Sequence, residues 1–200
     1  MAQSYLTVTF VLAGVLLLSI EFQLTNYIAV RLSEHMPAQQ FLHWQIEGIH
    51  MLGFLRTENT ILVVLLSFIV LRFSKKMNDR LLLFGGMLLF VTGYSLISYV
   101  SHVWALLFFM VIATIGEVTR VPVEQSYIAA MPPKHAKASY MAVTGLTFHV
   151  ALMISALTLT ISEFLPALAI SSIIALTGLI AIAIVAIIFN QLHERVKNAE

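Results

Sequence analysis

Long runs of apolar residues separated by short polar segments dominate this chain. Each run approaches the roughly 20 residues that an α-helix needs to cross about 30 Å of hydrocarbon. Unpaired backbone groups cannot face lipid, and these runs are too uniformly apolar for the strands of a membrane barrel. We therefore predict an all-α polytopic membrane protein whose residues 1–200 form a single bundle of six transmembrane helices. The predicted spans cover residues 5–30, 51–73, 81–100, 104–121, 140–161 and 166–190.

Composition supports a lipid bilayer as the environment of the chain. Hydrophobic residues make up 60% of the sequence and charged residues only 10%, whereas a soluble domain is about half apolar and a quarter charged. The chain has no cysteine, which excludes disulfides and thiolate metal sites. The basic residues form no patch, so no nucleic-acid partner is predicted.

Basic residues concentrate in alternate loops, and this asymmetry predicts orientation. One set of segments carries Arg72, Lys75, Lys76, Arg80, Arg120, Lys134, Lys137, Arg195 and Lys197. The opposite set carries Arg31 and Arg56 together with Glu34, Glu47, Glu58 and Glu163. We expect a plasma-membrane protein with both termini in the cytoplasm. The longer external segment, residues 31–50, is predicted to carry an interfacial helix with Trp44 at headgroup level.

Glu117 is the strongest functional candidate, because it lies inside the apolar run from Trp104 to Val121. A carboxylate at membrane depth costs several kcal/mol unless it is protonated, paired or in contact with water. Such a group can load and unload a proton. Pro122 is expected to stop or kink the helix, and Arg120 to reach the interface or pair with Glu117. The alternative is that Glu117 and Arg120 form a purely structural pair.

Other polar residues within the spans have two interpretations each. Glu21, near Gln23, Thr25 and Asn26, either faces a cavity or lies near the external end of a tilted helix. In the fifth span a stripe at helical spacing either lines an aqueous path or packs against another helix, and packing is favoured. The stripe consists of Thr144, Thr147, Ala151, Ser155, Thr158 and Ser162. His149 lies away from it and either relays protons or bonds a neighbouring helix.

Small residues in two other spans indicate helix packing. Gly86 and Gly93 mark such a face in the third span, and Ser171, Ala175 and Gly178 mark one in the sixth. Small residues let membrane helices approach closely.

A family resemblance rests on residues 116–140. Gly116-Glu117, Pro122, Gln125, Ala129 and a proline pair before Ser139-Tyr140 resemble the tenth helix and following cytoplasmic loop of multidrug/proton antiporters in the major facilitator superfamily. The segments QLTNYIAVRLSEHM and RFSKKMNDR agree in order. The resemblance covers essentially the whole chain, as the C-terminal six-helix half of a twelve-helix fold. Proton-coupled peptide transporters also carry Gly-Glu and then Pro in this helix.

The resemblance implies roles for several residues. Glu117 matches the family's tenth-helix acid, which acts in proton coupling and recognition of cationic drugs. RFSKKMNDR matches a degenerate copy of the cytoplasmic gating loop, with Asp79 and Arg80 its recognisable pair. Relatives carry an acid in the seventh helix where this chain has Thr25, and Glu21 one turn earlier is a candidate substitute.

These observations predict a secondary active transporter, or half of one. No nucleotide-binding motif is present, so an ion gradient or the substrate's own gradient must supply the energy. We expect proton-coupled efflux of lipophilic cations by alternating access, with no enzymatic activity, cofactor or metal site. Proton coupling is assigned to Glu117, Arg120 and Glu21, and substrate binding to Glu21, Thr25, Asn26, Glu117, Thr144 and Thr147.

The expected partners are a small-molecule substrate, protons, and either a missing N-terminal six-helix half or a second copy of the chain. Two alternatives stay open. The chain is a half-length membrane fragment without independent transport, or it is half of a proton-coupled peptide or solute transporter.

Overall fold

The computed structural model describes residues 2–74, 77–130 and 137–199. Within these ranges the chain is almost entirely helical, with one small hairpin. The elements are α1 (Ala2–Glu21), a 3-10 turn (Phe22–Leu24), α2 (Tyr27–His35), β1 (Gln39–Phe41), β2 (Trp44–Ile46), α3 (Gly48–Ser74), α4 (Asp79–Ile97), α5 (Val103–Ala130), α6 (Lys137–Ser162) and α7 (Ala167–Ala199). Six helical segments are long and apolar enough to cross a membrane, when α1 and α2 are counted as one segment, Tyr5–His35. This confirms the predicted helical membrane fold.

The first span is a broken helix rather than a continuous one. Its α-helical path is interrupted at residues 22–26 and resumes as α2, which continues to His35. Polar side chains at the break bond both to the local backbone and to a neighbouring helix. The Thr25 hydroxyl donates to the Phe22 carbonyl at 2.9 Å, and Asn26 Nδ2 donates to Ser155 Oγ on α6 at 3.0 Å. The break therefore anchors the first span to α6.

The predicted interfacial helix in residues 31–50 is wrong, because this segment forms an antiparallel hairpin. Phe41 pairs with Trp44 across a two-residue turn, in which Leu42 adopts a φ of 56°. The Phe41 ring packs on Trp104 with ring centroids 4.8 Å apart. Gln39 donates to the Ser101 carbonyl at 2.6 Å and accepts from the Val103 amide at 3.2 Å. These contacts to the α4–α5 turn stabilise strand pairing that a two-stranded hairpin lacks on its own.

The predicted helix end near Pro122 is also wrong. Helix α5 contains Pro122 and continues to Ala130, although a proline in a helix interior removes one backbone hydrogen bond. Packing beyond the proline offsets this cost. The fully buried Tyr127 ring contacts Phe10 of α1 and Phe189 of α7, each with ring centroids 6.3 Å apart. Tertiary packing thus outweighs the local tendency of proline to end a helix.

Helices α4 and α5 form the closest pair of the bundle, and glycine makes this possible. A Cβ added to Gly116 would lie 2.3 Å from the backbone nitrogen of Phe90, and one added to Gly93 would lie 2.6 Å from that of Ala113. Gly86 faces the backbone of Arg120 and Gly116 in the same way. The predicted packing role of Gly86 and Gly93 is confirmed.

The other helices surround this pair. Helix α3 packs on α5, α7 packs on α4 and α1, and α6 packs on α1. At the α4–α7 contact, Ser171 Oγ donates to the Ser95 carbonyl at 2.6 Å, and a Cβ on Gly178 would lie 2.3 Å from the Val91 side chain. The small face of the sixth span therefore packs as predicted.

Candidate functional site

Glu117 lies half-buried on α5 and is held by a residue of the neighbouring helix α3. Asn59 Nδ2 lies 3.1 Å from Glu117 Oε2 and 3.0 Å from Thr114 Oγ1, donating to both. Thr114 in turn donates to the Met110 carbonyl at 2.8 Å. A hydrogen bond to a charged acceptor is stronger than one between neutral groups. Asn59 therefore orients the carboxyl group of Glu117.

Sequence reasoning missed Asn59 as a site residue. It lies with Arg56 and Glu58 in the polar first turns of the predicted second span. The signal was present, because an amide inside an apolar span seeks a partner on another helix. In the same helix Glu58 has a buried Oε2 without a hydrogen-bond partner among the described residues.

Arg120 is buried inside the bundle and pairs with a residue other than the predicted one. Its Nη1 lies 2.6 Å from Glu124 Oε2, and its side chain is only 5% exposed. The guanidinium also lies over the Phe90 ring, 4.2 Å from the centroid, a cation–π contact. The expectation that Arg120 reaches the interface or pairs with Glu117 is therefore wrong. The Arg120 side chain is buried and pairs with Glu124. Arg120 accordingly contributes to the interior of the bundle and not to a loop.

Glu124 is the second residue that sequence reasoning missed. It follows Pro122 and so lies beyond the predicted fourth span, residues 104–121. Because α5 continues, Glu124 lies two turns beyond Glu117 on the same helix, about 10 Å along the axis. Its Oε1 is buried and makes no hydrogen bond within the described part of the chain.

Glu21 lies close enough to Glu117, Arg120 and Glu124 for their charges to interact. It is half-buried at the last residue of α1. The fold therefore brings together Glu117, Arg120 and Glu21, the three residues assigned to proton coupling, and adds Glu124. We call these four residues the charge cluster. It contains three carboxyl groups and one guanidinium.

The residues assigned to substrate binding do not all reach the charge cluster. Thr25 is exposed and its hydroxyl bonds the backbone, while Asn26 bonds Ser155 and so joins two helices. Thr147 is half-buried and lines a cavity of about 60 Å³ that Glu124 also lines. The side chain of Thr144 lies outside the described residues.

The polar stripe of α6 packs against the first span, as favoured. Ala151 and Ser155 are fully buried and Thr158 is nearly so. His149 is exposed, with its Nδ1 3.3 Å from the Gly145 carbonyl. Its relay function stays a prediction.

The predicted gating pair lies at the start of α4. The Asn78 side chain caps this helix by accepting from the Arg80 amide at 2.9 Å. Asp79 lies in the first turn, and the Arg80 guanidinium lies over the Phe189 ring of α7 at 5.6 Å. Lys75 and Lys76 lie outside the described residues. Arg80 thus links α4 to α7, and a gating role stays a prediction.

Arg31, predicted in an external loop, is instead a buried helix cap. Its guanidinium donates to the carbonyls of Ile97 and Tyr99 and to Ser101 Oγ, each at 3.0 Å, and also to the Val100 carbonyl. These groups form the C-terminal end of α4 and the turn after it, where cations are favoured. Arg31 also borders a cleft of about 590 Å³ between α2 and the α6–α7 turn.

The family described as "Major Facilitator Superfamily" matches residues 7–200. A Na(+), Li(+), K(+)/H(+) antiporter from Planococcus maritimus is 27% identical over 160 residues, which are 78% of this chain and 38% of that protein.

Solved structures share the fold at lower identity. A crystal structure of peptide transporter POT in complex with sulfate aligns with a TM-score of 0.71 at 15% identity, covering 99% of this chain and 41% of that one. A POT family transporter in complex with 5-aminolevulinic acid aligns with a TM-score of 0.68 at 20% identity, covering 95% and 42%. The chain therefore spans about two fifths of the length of these relatives.

Proposed function

Because the chain belongs to the Major Facilitator Superfamily, we propose that it forms one half of a secondary transporter that exchanges a cationic substrate for protons. Glu117 is the carboxyl group at which the two compete. The observation that carries this proposal is the placement of Glu117, half-buried in an apolar helix, held by Asn59 and near the buried Arg120. The proposed mechanism is alternating access.

Electrostatics supports a cationic substrate. The charge cluster has three carboxyl groups for one guanidinium, so its fully ionised form carries a net negative charge that attracts a cation. A proton that binds Glu117 removes one negative charge and weakens this attraction. Cation and proton then bind alternately to the same group, which is the requirement for exchange.

We favour a lipophilic organic cation as the substrate, because the cluster is embedded among apolar helices. Leu17 and Ile20 of α1 and Phe90 of α4 are buried nearby, and the Phe90 ring already makes a cation–π contact with Arg120. A site with apolar walls and few polar groups is typical of small-molecule binding.

A monovalent inorganic cation is the second candidate. The relative from Planococcus maritimus is named as an antiporter of Na(+), Li(+) and K(+) with H(+). Carboxylate and amide oxygens suit such hard cations, and Asn59 keeps its carbonyl oxygen while its Nδ2 bonds Glu117. The two candidates differ in whether Na⁺ alone displaces protons.

A proton gradient has enough energy for either exchange. One charge that crosses about 100 mV contributes roughly 2.3 kcal/mol, and roughly 1.4 kcal/mol corresponds to a tenfold gradient. One proton per cycle therefore sustains a substrate gradient of roughly fifty-fold.

Transport through this chain needs a second bundle. Since the chain covers about two fifths of its relatives, we propose that it pairs with another six-helix half or with a second copy of itself in the plasma membrane. A half without its partner corresponds to the alternative of an inactive membrane fragment.

The test uses membrane vesicles from cells that express the chain alone or together with the proposed second six-helix half. Vesicles energised with a pH gradient are offered a fluorescent lipophilic cation, Na⁺ or a dipeptide in parallel. We expect gradient-driven uptake of a cation that Glu117→Gln abolishes, whereas Glu47→Gln, at an exposed residue outside the spans, leaves it unchanged. Uptake of the dipeptide alone would reject cation exchange in favour of peptide transport.

A further inference from the structure

Arg120 lies between two acids on one face of α5. Glu117 precedes it by three residues and Glu124 follows it by four, the spacings at which helical side chains meet. Arg120 bonds Glu124 at 2.6 Å and remains within electrostatic range of Glu117 and Glu21. Its side chain is 95% buried and its Nε has no partner among the described residues. The guanidinium therefore has a second acid within reach and an unused donor.

Glu124 borders an internal cavity that the other acids do not line. The cavity measures about 60 Å³ and lies among α1, α4, α5, α6 and α7, with Gly14 and Thr147 in its wall. A water molecule needs roughly 10–15 Å³ of such space and two or more polar partners. Glu124 Oε1, which lacks a partner, and Thr147 provide them. Water in this cavity would contact Glu124 and not Glu117.

We propose that Glu124 is a second proton-binding group and that its protonation transfers Arg120 to Glu117, so that Arg120 acts as an internal competitor of the cationic substrate. This inference rests on the proposed function, because it assigns regulation of the same site. The proton moves from a hydronium ion to Glu124, which leaves water and a neutral carboxyl group. The Arg120–Glu124 ion pair breaks, an Arg120–Glu117 ion pair forms, and no other bond changes.

The exchange of partners has a direct consequence for the substrate. While Glu124 is ionised it holds Arg120, and Glu117 is free to bind a cation. Once Glu124 is protonated, the guanidinium neutralises Glu117 and displaces the cation. The charged groups that act on Arg120 are Glu124, Glu21 and Glu117, so Glu21 remains to attract the next cation. One proton thus releases a substrate even before Glu117 itself is protonated.

The first test measures binding of tetraphenylphosphonium to the purified protein in lipid at high pH. Glu124→Gln mimics the protonated acid, so we expect its affinity to fall roughly tenfold, within the usual range of coupling between sites. The double variant Arg120→Gln/Glu124→Gln lacks the competitor and should recover the wild-type affinity. Wild-type affinity in Glu124→Gln would overturn the proposal, as would weak binding in a correctly folded double variant.

The second test measures proton binding directly by infrared spectroscopy of carboxyl groups during a pH titration. Glu124→Gln should remove one protonated carboxyl band and Glu117→Gln another. An unchanged spectrum in Glu124→Gln overturns the proposal. An unchanged spectrum in Glu117→Gln, with the Glu124 band present, overturns the proposed function instead, so the two failures are distinct.

A separate variant tests whether water reaches Glu124 through the cavity. A Cβ on Gly14 meets nothing within 4 Å, and Gly14 lines the cavity, so Gly14→Val is expected to reduce the cavity volume. We expect the Glu124 band to exchange with deuterated water at least several-fold more slowly. Gly53→Val is the matched control, because Gly53 is equally open but lies on α3, outside the cavity. Equal exchange in wild type and Gly14→Val would exclude this water path.

Discussion

Asn59 on α3 donates a hydrogen bond to Glu117 on α5, with 3.1 Å between Nδ2 and Oε2. The same Nδ2 also donates to Thr114 of α5, so Asn59 joins the two helices beside the Glu117 carboxyl group. A hydrogen bond to a charged group contributes about 1.5–3 kcal/mol. The orientation of Glu117 therefore depends on a residue outside its own helix.

Substitution of Asn59 tests this dependence. Asn59→Leu removes the donor at similar size, so Glu117 loses its orienting contact, and we expect gradient-driven cation transport to fall roughly tenfold or more. Thr60→Val is the control, since Thr60 is exposed one residue further on and its hydroxyl bonds only the Arg56 carbonyl. Equal loss of transport in both variants would mean that α3 is merely perturbed.

Because α4 and α5 pack closely, one methyl group added at their contact should strongly lower the stability of the protein. In Gly116→Ala the new Cβ would lie 2.3 Å from the Phe90 nitrogen, so the helices must separate, and overpacking of this kind costs about 1–3 kcal/mol. Thermal unfolding of the purified protein should show a lower midpoint. Gly85→Ala on α4 meets nothing within 4 Å and should leave the midpoint unchanged or raise it. A stable Gly116→Ala protein would disprove the close approach.

Substitution of Arg31 should affect hydrogen exchange locally, at the end of α4, and not throughout the protein. Arg31→Met leaves the carbonyls of Ile97, Tyr99 and Val100 without their donor, at a cost of about 1–3 kcal/mol for each group that stays buried. We expect faster hydrogen exchange in residues 97–103 and in the hairpin held there by Gln39. Arg56→Met, at an exposed arginine, provides the comparison. Unchanged exchange at the end of α4 would show that Arg31 is dispensable as a cap.

Replacement of Pro122 by alanine should stabilise the protein. Helix α5 is continuous through this residue, so Pro122→Ala restores a backbone donor, and the difference between the two residues in a helix interior is about 3 kcal/mol. Unfolding midpoints should therefore rise. A lower midpoint would indicate that the proline geometry itself is required for packing.

The sequence predicted the helical spans because these depend on hydrophobicity alone, and for the same reason it identified Glu117 as a carboxylate within an apolar run. It failed where tertiary contacts decide the outcome. Pro122 suggested a helix end, and burial of Tyr127 overrode it, which also concealed Glu124. The hairpin at residues 39–46 depends on Gln39 bonds to the α4–α5 turn, and these residues are more than 60 positions apart. Asn59 is a polar residue of the second span, but local sequence spacing does not predict that it contacts Glu117 on another helix.

The central claim is that the carboxyl group of Glu117 exchanges its proton for a cation. The most direct measurement is proton release into weakly buffered solution when tetraphenylphosphonium or Na⁺ is added to the purified protein at a series of pH values. We predict release that saturates with the cation in the wild-type protein and in Glu47→Gln, and no such release in Glu117→Gln. Undiminished release from a correctly folded Glu117→Gln protein would contradict the account.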